Sequence, residues 1–318
     1  MSQSVIVKEG TLLNSGFTIG ICAADAASNL STLLPLIENE SYPPGLTLRR
    51  IVLVASDCDP NVIMSARQLA SKDERLIIIE EPVRSGKAAA INQIIEECEG
   101  QFVVLVNSDA LPEPGAITKL LSEISKDDNI GMVSASPVVG DKKGIAGSVL
   151  QLMWGVHNEC LLRLSDSREN NHCCDELIVI RSDVLSPLPN DTVNDGAYLA
   201  SAAFRAGFSI KFCESARVKI DVPNTFVEII RQRQRIVYGH VQIWKSVGES
   251  PRTLESMLFK SPSLSLQILI TTLVRSPKLI FALPVALSGE LISILLAMRD
   301  NLTGSKKHAK WDRFGSRA

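Results

Sequence analysis

The order and spacing of apolar segments predict an α/β protein built on a mostly parallel central sheet flanked by helices. Short apolar runs recur at 17–24, 48–55, 76–79 and 103–106, and runs without polar alternation suit strands covered on both faces. Segments with apolar residues at helical spacing separate them, which is the pattern of βαβ units. Polar residues gather just beyond the runs, at Ser56, Asp57, Asp59, Asn107 and Asp109, where open α/β sheets bind ligands.

Each element has its own signals. The first strand closes at Ala24 and leads to Asp25, Ser28 and Asn29, candidate caps for a helix whose apolar face is Leu30, Leu33, Leu34 and Ile37. Tyr42, Pro43, Pro44 and Gly45 end that unit. After the second strand a helix is expected over 61–70, and the third strand runs into Glu80, Glu81 and Pro82. Arg84, Ser85, Gly86 and Lys87 then open a helix carrying Ile91, Ile94 and Ile95. The strand at 103–106 stops at Asn107 and Asp109, and Pro112 and Pro114, which lack an amide hydrogen, end its ladder. Beyond it the pattern gives a strand at 132–136 and a helix over 145–164 with Trp154. A loop from His172 through Asp175 and Glu176 enters a strand ending at Ile180, and a helix follows Asn194 and Asp195. An edge strand at 208–212 precedes a long helix over 221–246.

Composition narrows the function classes. The chain has 318 residues, 45% of them hydrophobic, enough for a sizeable core. A formal charge of −2 argues against a nucleic-acid partner, which calls for a basic excess or face. The seven cysteines are odd in number and never spaced C-x-x-C, as expected in a reducing compartment. His157 with Cys160 and His172 with Cys173 lack the paired spacing of a zinc site. Residues 1–15 carry Lys8 and Glu9 without an apolar core, so the N-terminus is expected to stay in the cytosol.

Five stretches stand in a specific order over 17–240: the first strand, the helix start at Arg84 to Lys87, the strand end Asn107-Ser108-Asp109, the pair Asn194-Asp195, and Gln232-Arg233-Gln234-Arg235-Ile236. In this order they resemble the inverting family 2 glycosyltransferases of GT-A fold, membrane-associated type. The resemblance implies transfer of a sugar from a nucleotide-diphosphate donor, a UDP-sugar, to a lipid-linked or polysaccharide acceptor, with a divalent cation, Mg²⁺ or Mn²⁺. It makes Asp109 the metal ligand, with Asn107 standing where the family usually has a second acid. It assigns the nucleotide-sugar to Ala24, Asp57, Arg84, Lys87, Asn107, Asp109, Gln232 and Arg235, with Asp57 near the base. It makes Asp195 the catalytic base and puts Glu176 and Asn194 at the acceptor. Ile236 replaces the family's tryptophan.

The residue chemistry is compatible with these roles. A glycine at a helix start lets amides and nearby cations approach an anion, and Gln232 and Arg235, three apart, share a helix face. Ile230, Val237, Val241 and Trp244 are expected to bury another face, leaving Arg231 and Arg233 to solvent or acidic neighbours. Taken alone, Asp109 also reads as a turn residue, Asp195 as a helix cap, and Arg84 with Lys87 as a solvated helix start. The departures at Asn107, Asn194 and Ile236 would also suit a catalytically silent binding module. A nucleotidyltransferase would need a glycine-rich loop after the first strand, and residues 23–29 contain none.

Residues 1–248 are read as the catalytic domain and 249–318 as an apolar, membrane-associated extension. Two apolar stretches, 264–274 and 279–298, flank Arg275 to Lys278. The second is long enough for a bilayer core of about 30 Å, but Pro284 and Glu290 interrupt it. The expectation is helices lying in or re-entering the interface at the cytoplasmic face of the cell membrane, with a single span or a core hairpin as alternatives. The tail residues Lys306, Lys307, Lys310, Trp311, Arg313 and Arg317 fit an anionic membrane surface.

Overall fold

The computed structural model describes residues 15–25, 29–140, 142–304 and 308; residues 1–14, the candidate cap Ser28 and the six basic and aromatic tail residues lie outside them. The strands are β1 (Gly16–Asp25), β2 (Thr47–Cys58), β3 (Leu76–Glu81), β4 (Phe102–Asn107), β5 (Leu111–Pro112), β6 (Ile130–Val139), β7 (Leu177–Arg181) and β8 (Ser209–Ile220). They form one sheet in the order β3-β2-β1-β4-β7-β6-β8-β5. The helices are α1 (Leu30–Asn39), α2 (Pro60–Ala70), α3 (Lys87–Glu96), α4 (Ala116–Ile124), α5 (Gly144–Asp166), α6 (Asp195–Arg205), α7 (Phe226–Val247), α8 (Leu254–Lys260), α9 (Pro262–Arg275) and α10 (Leu283–Leu302), with a 3₁₀ helix at Pro277–Ala282.

The strand at 103–106 is covered on both faces, as its lack of alternation implies. Val104 and Val106 pack with Leu33, Ile37 and Ile117, while Val103 and Leu105 pack with Ile91, Ile94 and Leu199 on the other side. The first four strands run parallel. The sheet then turns mixed, because β7 runs antiparallel to both β4 and β6. That reversal sets the start of β7 beside the end of β4, and so brings the 172–176 loop to the edge that carries Asp109.

Several expectations are corrected. Asn29 occupies the α1 cap position without a side-chain cap bond; its amide donates instead to the Asp109 carbonyl at 3.2 Å. Pro112 pairs with Val218 as a two-residue edge strand, where a missing amide hydrogen is tolerated. β8 is accordingly longer than 208–212 and is not the edge. α7 starts at Phe226, where Thr225 and Glu228 form a capping box. Its buried positions include Ile229, Gln234 and Ile243, whereas Trp244 is 58% exposed.

Arg233 takes the acidic neighbours expected as one alternative. Its guanidinium pairs with Glu290 at 2.8 Å and Glu255 at 3.0 Å, tying α7 to α8 and α10. Pro284 lies in the first turn of α10, where proline is well accommodated, so it does not break the helix. One helix among the described residues, Pro277–Leu302, is long and apolar enough to cross a membrane by length and composition, and 28% of its most apolar window is buried. Phe259, Leu266, Val274, Phe281, Leu287, Leu291 and Leu302 are exposed, which leaves α8, α9 and α10 with a broad apolar outer surface.

Removing the cation from this cluster leaves two carboxylates without their partner. Arg233→Met is expected to cost about 3 kcal/mol in urea unfolding, and adding Glu290→Met should recover much of it.

Candidate active site

The site forms where β1 and β4 end side by side. Cys22 pairs with Asn107 in register, and the Ser108 amide donates to the Cys22 carbonyl at 3.1 Å. β7 enters antiparallel, so the Asn107 amide donates to the Glu176 carbonyl at 3.1 Å. The Asn107 side-chain nitrogen meets Glu176 Oε2 at 2.7 Å. Asn107, Asp109 and Glu176 thus form one oxygen-rich corner, and Glu176 belongs beside the strand end at least as much as to any acceptor.

α3 supplies the central cation. Gly86 at its start has φ of 107°, a conformation that favours glycine. The next residue, Lys87, extends its ammonium to Asp175 Oδ2 at 2.6 Å and to Asp195 Oδ2 at 2.8 Å. Asn194 is the cap of α6, its oxygen accepting the Ala197 amide at 3.2 Å; Asp195 in the first turn is left to face Lys87. Gly196 permits the close approach, since a Cβ there would fall 2.3 Å from the Asp175 Cβ.

Burial and neighbouring charge set the ionisation of these groups. Burial, with help from Asp175, raises the Asp195 carboxyl above its ordinary value against the pull of Lys87. For Asp175 burial also acts upward, but the contact with Lys87 outweighs it and holds the group low. Burial opposes the charge on Lys87, and the carboxylates of Asp175 and Asp195 more than offset it, holding the ammonium firmly protonated. Glu176 is pushed up to about 8 by burial first, then by Asp175 and Asp109.

Of the residues the sequence singled out, Ala24, Arg84, Lys87, Asn107, Asp109, Glu176, Asn194, Asp195, Gln232 and Arg235 line a single cavity of about 710 Å³. Asp57 does not line it: with φ of 50° it sits exposed at an irregularity near the end of β2, where the pairing with β1 skips it, and the preceding Ser56 lines the cavity instead, bonded to Glu81. Gln232 and Arg235 both face inward from α7, and Arg235 Nε donates to the His308 carbonyl at 3.3 Å. Burial lowers the Arg235 guanidinium from its ordinary value.

The sequence reading passed over Asp175 as a site residue and Trp154, His157 and His172 as cavity residues. Trp154 and His157 lie three apart on α5, a spacing that puts both on one face. His157, His172 and His240 stack edge to face, with ring centroids 5.4 and 5.2 Å apart. Each carries one buried ring nitrogen without a hydrogen-bond partner. The far part of the cavity is apolar, walled by Leu258, Phe259, Leu266, Leu287 and Leu291.

Residues 46–188 match the family model described as Glycosyl transferase family 2. The chain carries a family 2 glycosyltransferase domain. The match runs from β2 through β7 and therefore takes in Lys87, Asp109 and Asp175. Glycosyltransferase AglE of Haloferax volcanii is 21% identical over 223 residues, 69% of this chain and 70% of that one. The N-acetylglucosaminyltransferase of Azorhizobium caulinodans is 25% identical over 181 residues, 52% of this chain and 45% of that protein. Poly-β-1,6-N-acetyl-D-glucosamine synthase of Staphylococcus epidermidis is 18% identical over 271 residues, 81% of this chain and 64% of that one. The chain thus spans less than two thirds of two of these relatives. Among solved structures, the mannosyltransferase PcManGT of Pyrobaculum calidifontis, in complex with GDP-Man and Mn²⁺, superimposes with a TM-score of 0.61 at 18% identity, over 92% of this chain and 88% of that one. GalNAc-T7 with UDP, GalNAc and Mn²⁺ gives 0.51 at 11% identity, over 79% of this chain and 57% of that one. The fold of this glycosyltransferase is GT-A, and the chain is an enzyme of that class.

The buried histidines give the glycosyltransferase a pH signature. Burial lowers His157 from 6.5 to about 3, and His172 from 6.5 to about 4; Arg233 adds to both effects, while Asp175 opposes them. The unfolded chain therefore binds more protons across that range, so stability rises with pH and is lost as pH falls from about 6.5 towards 4. His157→Gln should lose less stability than the parent between pH 7 and pH 5, read as urea midpoints at the two values.

Proposed function

We propose that this glycosyltransferase moves a sugar, with inversion, from a UDP-sugar to a lipid-linked acceptor, a polysaccharide acceptor being the alternative, at the cytoplasmic face of the cell membrane. The observation that carries the reading is continuity. The cavity holding Asp195 is the one walled further out by Leu258, Phe259, Leu266, Leu287 and Leu291, and those five side chains are also exposed on the outer surface. An acceptor hydroxyl can reach Asp195 while an apolar tail stays against that surface, which suits helices lying in a membrane interface.

In this reading the donor lies across Ala24, Arg84 and the β4 end, with Arg84, Gln232 and Arg235 holding the departing diphosphate. Asp57 stays outside the cavity, so contact with the base would fall to Ser56 or to a rearranged turn. Asp195 takes the acceptor proton. Burial makes its carboxylate a better base, and the Lys87 ammonium beside it favours the ionised form. Asn194 shapes the α6 start beside it.

The corner of Asn107, Asp109 and Glu176 offers hard oxygen donors that fit Mg²⁺ or Mn²⁺. Among the described residues no group of three or more His, Cys, Asp or Glu is arranged to hold a metal, so phosphate oxygens and water would complete the coordination. A bound cation there would neutralise charge on the diphosphate. Mn²⁺ is the first choice because both similar structures contain it, and Asp109 with Glu176 would hold it. GDP-mannose is the second donor to test, since the mannosyltransferase neighbour binds it.

Nucleoside diphosphate release from a panel of UDP- and GDP-sugars, with Mn²⁺ and membrane lipid extract, tests the reading; turnover of none of them would refute it. Asp195→Asn should lower turnover by about 10³-fold while calorimetry shows nucleotide binding retained. Surviving turnover would remove Asp195 as the base.

A further inference from the structure

Between Asp195 and the apolar mouth lies a belt of polar aromatic rings that the catalytic reading leaves unused. Trp154 meets His157 edge to face at 5.3 Å, His157 meets His172 at 5.4 Å, and His172 meets His240 at 5.2 Å. The rings come from α5, the 172–176 loop and α7, and all four line the cavity. Gly239 lets α7 press against the α6 start, since a Cβ there would lie 2.8 Å from the Asn194 Cβ. The next residue on α7, His240, packs against His172. His172 is 5% exposed, and a buried polar atom left without a partner, as His172 Nδ1, His157 Nε2 and His240 Nε2 are, calls for an explanation.

The surroundings limit what such a belt can bind. Burial holds all three imidazoles neutral. Towards the donor, Lys87 is taken up by Asp175 and Asp195. Towards the mouth, Arg233 is taken up by Glu255 and Glu290. Both cations are already paired with carboxylates, so neither is left to hold an anionic phosphate at the belt. A second cation would meet Arg233 and Lys87. A neutral imidazole has one donor and one acceptor nitrogen, which matches a hydroxyl group. Trp154 adds an aromatic surface for the C–H face of a sugar ring.

We infer that the belt of Trp154, His157, His172 and His240 is a subsite for an uncharged acceptor sugar, so that the enzyme extends a glycan already started on its lipid. The inference rests on the function proposed above. In the step, an acceptor sugar hydroxyl oxygen forms a bond to the anomeric carbon of the donor. The bond from that carbon to the diphosphate oxygen breaks, the nucleoside diphosphate leaves with the electron pair, and the hydroxyl proton goes to Asp195. An earlier glycosyl or sugar-phosphate transfer onto the lipid must supply the acceptor.

The test compares three acceptors with the full chain and the donor selected by the panel: a polyprenyl phosphate, the same lipid carrying one sugar through a diphosphate, and a soluble glycan. The glycosylated lipid should be the better substrate by at least about tenfold in kcat/KM, on the order of one good hydrogen bond. Trp154→Ala and His172→Ala should raise the acceptor KM about tenfold while the donor KM holds. Trp154→Phe and His157→Asn are milder forms if either chain fails to fold. Preference for the lipid phosphate, or a change confined to the donor KM, overturns the inference and leaves the proposed transfer intact. Use of a soluble glycan alone, with KM raised by the same variants, supports the subsite and overturns the lipid reading. Use of no acceptor overturns both.

Discussion

Lys87 holds together a buried carboxylate, Asp195, and a half-buried one, Asp175, that could not otherwise sit side by side as ions. Asp175 arrives on a loop ahead of β7 and Asp195 at the start of α6, and the ammonium between them makes salt bridges of 2.6 and 2.8 Å. Without a cation, burial and mutual repulsion would drive one carboxyl to its neutral form. The contact needs three separate pieces of backbone to agree: the positive φ of Gly86 that starts α3, the antiparallel entry of β7, and the bare Cα of Gly196 against Asp175. Asp195 and the residues at the start of α3 then share one cavity because the same lysine fixes the distance between α3 and α6.

Much of this was legible in the sequence, and the reasons differ by residue. Asp109 and Asp195 are announced locally, one by an apolar run that stops abruptly and the other by a polar pair ahead of a helix. Lys87 was legible as a helix-start cation, but its partners were not, because Asp175 is 88 residues away and only the tight fit at Gly196 brings it in. Asp57 was misplaced by one position: an irregularity near the end of β2 takes a positive φ at Asp57, which swings it outward and leaves Ser56 facing in. The direction of β7 has no local signal, since a buried strand reads the same either way. On α7 the expected face was out of phase, because Arg233 is drawn inward by charged partners on α8 and α10 rather than by its own hydrophobicity.

α10 shows how the apolar end of the cavity is fixed to the polar end. Its side towards α7 is made of small or polar residues: Gly289, Ser293, Ala297 and Asp300 are buried, and Ser293 Oγ donates to the Ile230 carbonyl at 3.2 Å. A Cβ on Gly289 would lie 2.9 Å from the Phe226 ring, so the two helices run close. The opposite side carries Leu287, Leu291, Leu295, Met298 and Leu302, all exposed. This inverts the usual arrangement of a surface helix, whose apolar stripe faces inward. Glu290, costly in an apolar helix unless paired, meets Arg233 and so sets the rotation of α10 about its axis. A different rotation would turn the leucines away from the cavity mouth. The same α7 segment carries Gln232 and Arg235, so the charge pair that orients the apolar surface also fixes the helix that presents them to the cavity. The apolar outer surface and the α7 face that carries Gln232 and Arg235 are thereby parts of one contact, so in the proposed reading an acceptor entering from the apolar side would meet α7 before Asp195.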